Sequence, residues 1–206
     1  MSRPVAAAVA HPRLDAAGLG QLFVEARTHS RWQPEPVDDA LVRELYELAR
    51  MPPTAANTQP MRLLFLQSRA SREQLRPALA PGNVEKTMTA PLTVIVAHDL
   101  AFYEQLPTLM PHVDARSWFV GKPAAAIERD ALHGGAMQGA YLILAARALG
   151  LDCGPIGGFD HERVDETFFP DGRWKSSFIL NLGHGDPAGL HPRNPRLAFD
   201  DACRIA

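Results

Sequence analysis

Residues 52–66 have the sequence PPTAANTQPMRLLFL, a loop of small and amide side chains between prolines that leads into the apolar run 63–66. A short apolar run after such a loop predicts a buried strand. Two further apolar runs, 92–97 and 176–182, predict two more strands, and the first of them is rich in β-branched residues. Segments with helical spacing lie among these strands without a strict strand–helix–strand alternation. The sequence therefore predicts an α+β fold.

The longest helical pattern covers residues 129–149 and contains Gly134, Gly135 and Gly139. Each glycine weakens an isolated helix by up to about 1 kcal/mol relative to alanine. We therefore expect the close approach of another backbone or a second helix at these positions. Gly150 is a candidate cap at the C-terminal end, and Asp38 can cap a helix at 37–51. Further helices are predicted at 15–28, 71–79, 102–106 and 160–168, whereas 107–123 has no clean period.

The bulk composition indicates one globular domain over residues 1–206. Hydrophobic residues make up 46% and charged residues 21%, which excludes a disordered polyelectrolyte and a collagen-like repeat. The 21 basic and 23 acidic side chains leave a net charge of −2, so neither nucleic acid nor an anionic membrane is predicted as a partner. Residues 1–14 are expected to form a flexible leader. Residues 184–206 contain several prolines and are expected to form an extended tail.

Cysteine usage and the lengths of the apolar runs favour a cytoplasmic location. Cys153 and Cys203 lie far apart and form no CxxC pattern, which is typical of reduced thiols. The longest apolar run, 141–146, is too short to span a bilayer. No GxGxxG follows a predicted strand, and neither a GxxxxGK[ST] nor an HExxH motif occurs. The sequence therefore predicts no Rossmann site, no P-loop and no metal site.

Two short stretches carry side chains or backbone suited to ligand binding. The first is RTHSR, residues 27–31, in which two guanidiniums and two hydroxyls can bind a phosphate. Taken alone, this stretch is more simply explained as a basic helix C-terminus that complements the helix dipole. The second is the loop 53–60, whose small residues allow close approach to a flat ligand. A plain connection between a helix and a strand is the competing interpretation.

Two later stretches have the same double interpretation. Asn83 and Lys86 are three residues apart, so both can reach one target. An amide and an ammonium suit a heterocycle that presents carbonyls and gains negative charge, although a solvated pair also explains them. The stretch GPIGGFD, residues 154–160, has paired glycines that can expose backbone N–H groups to a ligand, or can simply reverse the chain.

The order and spacing of these stretches resemble the nitroreductase family of FMN-dependent oxidoreductases. The matching elements are RTHSR at 27–31, PTAANTQPM at 53–61, NVEK at 83–86, PIGGFD at 155–160 and PRNPRL at 192–197. The resemblance implies a central mixed, mostly antiparallel sheet flanked by helices, in an intertwined homodimer with flavin sites at the subunit interface. It implies FMN as cofactor and NADH or NADPH as co-substrate. Hydride would pass through flavin N5 to a small-molecule oxidant with ping-pong kinetics and no catalytic side chain.

The resemblance also implies contacts with the phosphate end of FMN. Arg27 and Arg196 would bind the phosphate with the help of His29 or Ser30, and Arg31 would lie nearer the isoalloxazine ring. His29 stands where the family has serine. Two further residues are implied to contact the cofactor near these positions: Thr28 and Arg193.

At the ring end, Asn83 and Lys86 would contact the pyrimidine edge, and the amides of Gly157 and Gly158 would meet N5 and O4, beside Ile156. Gly157 stands where the family often has glutamate, and Met61 where it has tryptophan. The loop 53–60 would reach the flavin of the other subunit. The residues implied to act in this way are Pro53, Thr54, Ala55 and Asn57.

Within the family, ARTHSRW at 26–32, GNVEKTMTAP at 82–91 and GLDCGPIGGFD at 150–160 resemble the malonic semialdehyde reductases of pyrimidine degradation. This implies reduction of malonic semialdehyde to 3-hydroxypropanoate. A broad-specificity nitroreductase or quinone reductase, and a non-catalytic flavin-binding protein, are the alternatives. Residues 107–123 are expected to recognise the substrate, with Trp118 or Phe119 over the ring and Arg116 on a carboxylate. The competing interpretation, equally compatible with the sequence, is that the two aromatic side chains pack in the core and that Arg116 forms an ion pair on the surface.

Overall fold

In the computed structural model, which describes residues 11–206, four strands form one antiparallel sheet in the order β1-β2-β4-β3. Residues 1–10 of the expected leader lie outside the described residues, and residues 11–14 are exposed without regular structure. The only parallel pairing of the described residues is a single bridge between Thr28 and Cys153. The α+β prediction is confirmed. The strands are β1 Met61–Leu66, β2 Leu92–Asp99, β3 Asp152–Ile156 and β4 Trp174–Gly183.

Helices cover both faces of the sheet. Helix α1 continues into a π-helical turn, Gly20–Val24, and short 3₁₀ turns occur at Ala55–Asn57, Arg76–Ala78, Phe102–Gln105, Ala115–Trp118 and Pro187–Gly189. The α-helices are α1 Ala16–Leu19, α2 Asp39–Ala49, α3 Arg69–Leu75, α4 Pro81–Met88, α5 Leu106–Leu109, α6 Ala124–Ala148, α7 His161–Phe168 and α8 Phe199–Ala202.

Strand β2 is buried along its whole length because both of its faces are covered. Val94 and Val96 point to the layer that contains α2 and α6, whereas Ile95 and Ala97 point to the layer that contains α3 and α7. Burial of each large aliphatic side chain contributes about 1.5–3 kcal/mol. A third apolar cluster, which includes Phe102, joins residues 102–119 to the first half of α6.

The glycines of α6 make room for side chains of the sheet and of the loop 53–60. A Cβ on Gly134 would lie 2.8 Å from Pro60 Cγ, and one on Gly139 would lie 2.7 Å from Phe178 Cε1. The third, Gly135, faces His98. The expected close approach is therefore present, with side chains of the sheet and the loop as the nearest neighbours and the backbone of His98 at 4.0 Å from a Cβ on Gly135. Helix α6 also begins at residue 124, five residues earlier than predicted.

The capping predictions are confirmed. The side chain of Asp38 accepts a hydrogen bond from the Leu41 amide at 2.8 Å. Gly150 follows α6 with a φ of 81°, a conformation that glycine adopts without strain. The first helix, by contrast, stops at Val24 rather than at residue 28.

Two elements escape the sequence patterns. Strand β3 contains Gly154 and Pro155, both poor strand residues, but it lies at a sheet edge where proline is tolerated. Helix α4 is short, buries only Thr87 and begins at Pro81, a favourable first helical residue. Both elements carry residues of the candidate site.

Candidate functional site

A cavity of about 340 Å³ lies where the residues after α1 meet the C-terminal tail. No carboxylate is among its lining residues, and none of its four arginines forms an ion pair within residues 11–206. Such a concentration of unneutralised positive charge favours a ligand with more than one negative charge. The cationic residues that line it are Arg27, Lys86, Arg147, Arg193 and Arg196.

Backbone carbonyls take up part of the hydrogen-bonding capacity of these arginines. Arg27 donates to the carbonyl of His191, and Arg193 donates to the carbonyls of Val24 and Ala26 at 2.7 and 2.9 Å. These bonds hold the tail against the segment that leaves α1. Arg196 is exposed and bonds only to carbonyls of its own segment. The RTHSR element is thus extended chain beside the tail, and its interpretation as a basic helix C-terminus is wrong.

Sequence reasoning missed Arg147, which lies in the last turn of α6. One of its terminal nitrogens donates to the carbonyl of Leu22 at 3.0 Å. Its Nε is buried and has no hydrogen-bond partner among residues 11–206. The guanidinium thus retains unused hydrogen-bonding capacity beside the cavity. In the sequence, Arg147 has the appearance of an ordinary basic residue near a helix C-terminus.

A second cavity, of about 170 Å³, adjoins the first and shares Thr28, Ser30 and Lys86 with it as lining residues. Asn83 is also in its wall. Together the two cavities fall within the range of typical small-molecule sites, about 300–1,000 Å³. The remaining lining residues are His29, Gly154, Pro155, Ile156, Gly157 and Asn181. Three of the four stretches singled out in the sequence therefore meet here.

Helix α4 fixes Asn83 and Lys86 at the junction of the cavities. The ammonium of Lys86 lies 3.3 Å from Asn83 Oδ1, and the Asn83 amide donates to the carbonyl of Gly158 at 2.9 Å. The indole of Trp32 donates to the carbonyl of Lys86 at 3.0 Å. A Cβ on Gly157 would meet nothing within 4 Å. The backbone at Gly157 is therefore open to a ligand.

His29 is held away from open solvent. Its backbone amide donates to the carbonyl of Cys153 at 2.9 Å, and its Nδ1 lies 3.3 Å from Asp152 Oδ1. Asp152 also accepts a hydrogen bond from the Gly185 amide at 2.8 Å, and a side chain at position 185 would overlap the His29 ring. His29 therefore joins β3 to the segment that follows β4, beside the cavity wall.

Arg31 lines a third, neighbouring cavity together with Trp32 and Asp186. This cavity shares Ser30 and Lys86 with the smaller of the two cavities described above. Its aliphatic stem lies against Gly189, where a Cβ would come within 2.9 Å. Arg31 is thus next to the site but outside the two cavities that carry the other predicted contacts.

The loop 53–60 lies apart from these cavities. Three strand spacings of about 4.8 Å, and three residues of about 3.4 Å along β1, put Met61 roughly 18 Å from Ile156. The predicted residues Pro53, Thr54, Ala55 and Asn57 line neither cavity. One chain alone therefore does not bring this loop to the others.

The three candidate substrate residues have different environments. Arg116 forms a two-bond ion pair with Glu104 at 3.0 and 2.8 Å, which lowers the pKa of Glu104. Phe119 is buried and packs edge-on against Phe102, with ring centroids 5.0 Å apart. Trp118 is 51% exposed. Phe119 is therefore a core residue and Arg116 a surface ion-pair partner, as the alternative interpretation of the sequence has it. Of the three residues, Trp118 is the one whose ring is exposed and free to stack on a ligand.

Within residues 11–206, no group of three or more histidine, cysteine, aspartate or glutamate side chains could hold a metal ion. No helix of the same region is both long and apolar enough to cross a membrane.

Comparison with known proteins identifies the family. The nitroreductase family matches residues 24–184, most of the chain. The chain belongs to the nitroreductase family. A Ralstonia nicotianae protein named "Putative NADH dehydrogenase/NAD(P)H nitroreductase" is 57% identical over 194 residues, which are 94% of this chain and 99% of that protein.

Solved structures of nitroreductase family members share the fold. A "putative nitroreductase in complex with FMN" from Exiguobacterium sibiricum has a TM-score of 0.84 and 23% identity, over 95% of this chain and 99% of its own. A nitroreductase family protein from Streptococcus pneumoniae has a TM-score of 0.78 and 21% identity, over 90% and 98%. The family predicted from the sequence motifs is confirmed.

Proposed function

We propose that this protein is an FMN-dependent NAD(P)H oxidoreductase whose cofactor occupies the two contiguous cavities. One observation carries the proposal: five cationic side chains and no carboxylate line one cavity, and an amide, an ammonium and an open glycine backbone line the next. This is the donor set that a phosphate joined to a polar heterocycle requires. The FMN named with the Exiguobacterium structure supports the choice of cofactor.

Residues of this chain would divide the binding between them. Arg27, Arg147 and Arg196 would hold the phosphate, and Ser30 would add a hydroxyl. Lys86 borders both cavities, so its ammonium would stabilise negative charge on the pyrimidine edge. When bound, FMN supplies hydride transfer through N5, from NADH or NADPH to an oxidant in a ping-pong sequence. The protein binds, orients and provides charge.

We further propose a homodimer in which the loop 53–60 of each chain contacts the flavin of the other. The roughly 18 Å between the loop and the ring-side cavity supports this. Met137 and Tyr141, one turn apart, also form an exposed apolar pair on α6, and Leu132 is exposed on a different face of the same helix. Leu197 and Phe199 are exposed in the tail. Extensive exposed apolar surface is unusual in a monomer. The partner's Pro53, Thr54, Ala55 and Asn57 would then complete each site.

Malonic semialdehyde is the oxidant that we propose, on the resemblance of residues 26–32, 82–91 and 150–160 to its reductases. Trp118, whose side chain is exposed, would stack over the flavin ring, as the sequence predicts. The name of the Ralstonia relative favours a second candidate, a broad-specificity nitroreductase or quinone reductase. We place the protein in the cytoplasm as part of this proposal, since its two distant cysteines suit a reducing compartment.

Spectroscopy and kinetics test these proposals in order. The purified protein should take up FMN and be bleached by NADH or NADPH without oxygen. Failure to take up FMN would overturn the proposal, and a bound flavin that neither co-substrate reduces would leave a flavin-binding protein. Steady-state rates should be higher with malonic semialdehyde than with a nitroaromatic or a quinone, and the reverse order would establish the second candidate.

A further inference from the structure

Asp99, at the end of β2, is a fully buried carboxylate next to β1, the edge strand opposite β3. Arg173 binds it with two parallel bonds, Nε to Oδ1 at 2.8 Å and Nη2 to Oδ2 at 2.9 Å. Arg62 adds a bond to Oδ2 at 2.6 Å, and the Ala101 amide a bond to Oδ1 at 2.8 Å. Burial would raise the pKa of Asp99, but these bonds and the two guanidinium charges lower it below its usual range.

Arg62 uses its other terminal nitrogen to hold the loop 53–60. That nitrogen donates to the carbonyl of Gln59 at 3.0 Å and to the carbonyl of Met61 at 2.9 Å. The backbone amide of Asp99 donates to the carbonyl of Pro60 at 2.9 Å. Three consecutive carbonyls at the end of the loop are therefore fixed by one aspartate and one arginine.

The loop needs such support because its backbone is strained. Ala56, Asn57 and Gln59 have φ values of 51°, 53° and 41°, in the left-handed region that non-glycine residues rarely adopt. Strained residues persist only where the surrounding structure determines their conformation. An apolar core could supply burial at this place, but it could not bond the carbonyls of Gln59 and Met61.

We propose that the Asp99–Arg62 pair is a positioning device that shapes the loop 53–60 for the flavin of the partner subunit, and therefore acts in trans. This inference rests on the proposed FMN site and homodimer. Neither residue lines either of the two candidate FMN cavities of its own chain, since Arg62 is on the edge strand β1 and Asp99 is at the end of the neighbouring strand β2. The role is confined to positioning, through the carbonyls that Arg62 binds.

Single variants give the first test. Arg62→Met should keep the dimer but weaken FMN binding about tenfold or more, because a displaced loop loses its contacts with the flavin. Arg62→Lys keeps the charge and one bond, so it should recover part of the affinity. Arg76→Met is the matched control, since Arg76 pairs with Glu73 on the surface, away from the loop. Unchanged affinity in Arg62→Met would overturn the proposal.

A mixed dimer separates action in trans from action in cis. The mixed dimer contains one tagged Arg27→Ala chain and one differently tagged Arg62→Met chain. If Arg62 acts in trans, both defects fall in the cavity of the Arg27→Ala chain and the other site is intact. If Arg62 acts in cis, each site carries one defect. For action in trans we expect one tight FMN per dimer, against two for the wild type and none for either homodimer. No tight site in the mixed dimer would refute the proposal.

Two controls keep the test decisive. If Arg62→Met does not fold, Arg62→Gln takes its place in the same mixed dimer with the same expected stoichiometry, because its shorter neutral side chain cannot bridge Asp99 and the carbonyls of Gln59 and Met61 at once. A wild-type protein that is monomeric or takes up no FMN contradicts the proposed function itself. A wild-type dimer with two flavins and a mixed dimer with none contradicts only the role of Arg62.

Discussion

Replacing Arg147 with methionine should weaken FMN binding while leaving riboflavin binding nearly unchanged. Riboflavin lacks the phosphate, so the comparison isolates the phosphate end of the site. Arg147 lines the basic cavity, and its buried Nε has no partner in the part of the chain that the structure describes. Methionine keeps most of the stem volume and is as good a helix former as arginine. The substitution therefore removes the charge and the donors with little disturbance of α6.

The magnitude follows from the bonds that are lost. A hydrogen bond between charged groups contributes about 1.5–3 kcal/mol, which corresponds to roughly a 10- to 150-fold loss of FMN affinity. The bond from Arg147 to the carbonyl of Leu22 is lost as well, at a cost of about 0.5–1.5 kcal/mol in folding stability. That second loss affects the apo-protein and both flavins alike, so it cancels in the ratio of affinities.

Fluorescence titration of the apo-protein with FMN and with riboflavin gives both dissociation constants. Arg129→Met is the control, because Arg129 lies on the same helix but is exposed and outside the cavity. Equal weakening of the two flavins in Arg147→Met would show that Arg147 supports the fold of the site and not the phosphate. An unchanged FMN affinity would remove Arg147 from the site.

Three further predictions concern thiol reactivity, acid stability and packing. Burial raises the pKa of Cys153 to about 12, so a thiol reagent at pH 8 should modify only the exposed Cys203 in the native protein and both cysteines in denaturant; two reactive thiols in the native protein would contradict this. Asp99→Asn should cost about 3–5 kcal/mol of unfolding free energy at pH 7. Because the pKa of Asp99 is lower in the folded protein, the full loss of stability should be seen above the ordinary carboxyl pKa, and the loss should shrink as the pH falls through the folded pKa. Urea unfolding of both proteins at several pH values measures this difference in unfolding free energy. A difference that does not decrease at low pH would exclude the Asp99 charge as the cause. Gly134→Ala should lower the melting temperature, because overpacking against Pro60 costs about 1–3 kcal/mol and exceeds the gain in helix propensity of up to about 1 kcal/mol. Gly157→Ala is the control and should not lower it, because a Cβ there has open space. Equal melting temperatures for the two variants would refute the packing argument.

Local patterns were sufficient for the elements whose own residues determine them. The β-branched run of β2 predicts a strand buried on both faces, and Asp38 marks the start of α2 within one residue. Strand β3 depends instead on distant partners, because Gly154 and Pro155 disfavour a strand until β4 supplies hydrogen bonds. The same holds for the end of the first helix, where Thr28 bridges to Cys153 instead of continuing the helix.

Side-chain chemistry in short stretches predicted part of the site. Ser30, Asn83 and Lys86 carry groups suited to an anionic heterocycle, and the structure brings them together. Arg147 could not be found in this way, since only the fold places the end of α6 beside the tail. Arg116 was ambiguous because an exposed arginine suits a substrate carboxylate as well as it suits Glu104.

The basic cavity combines residues that precede β1 with residues that follow β4, and this affects its formation during synthesis. Arg27 emerges from the ribosome before any strand of the sheet, whereas Arg193 and Arg196 emerge only after the last strand. The sheet is complete once β4 has been translated, but the cavity is not. A ribosome that stops after β4 would therefore release a chain with its sheet and without its anion site, so cofactor loading follows the synthesis of residues 191–196.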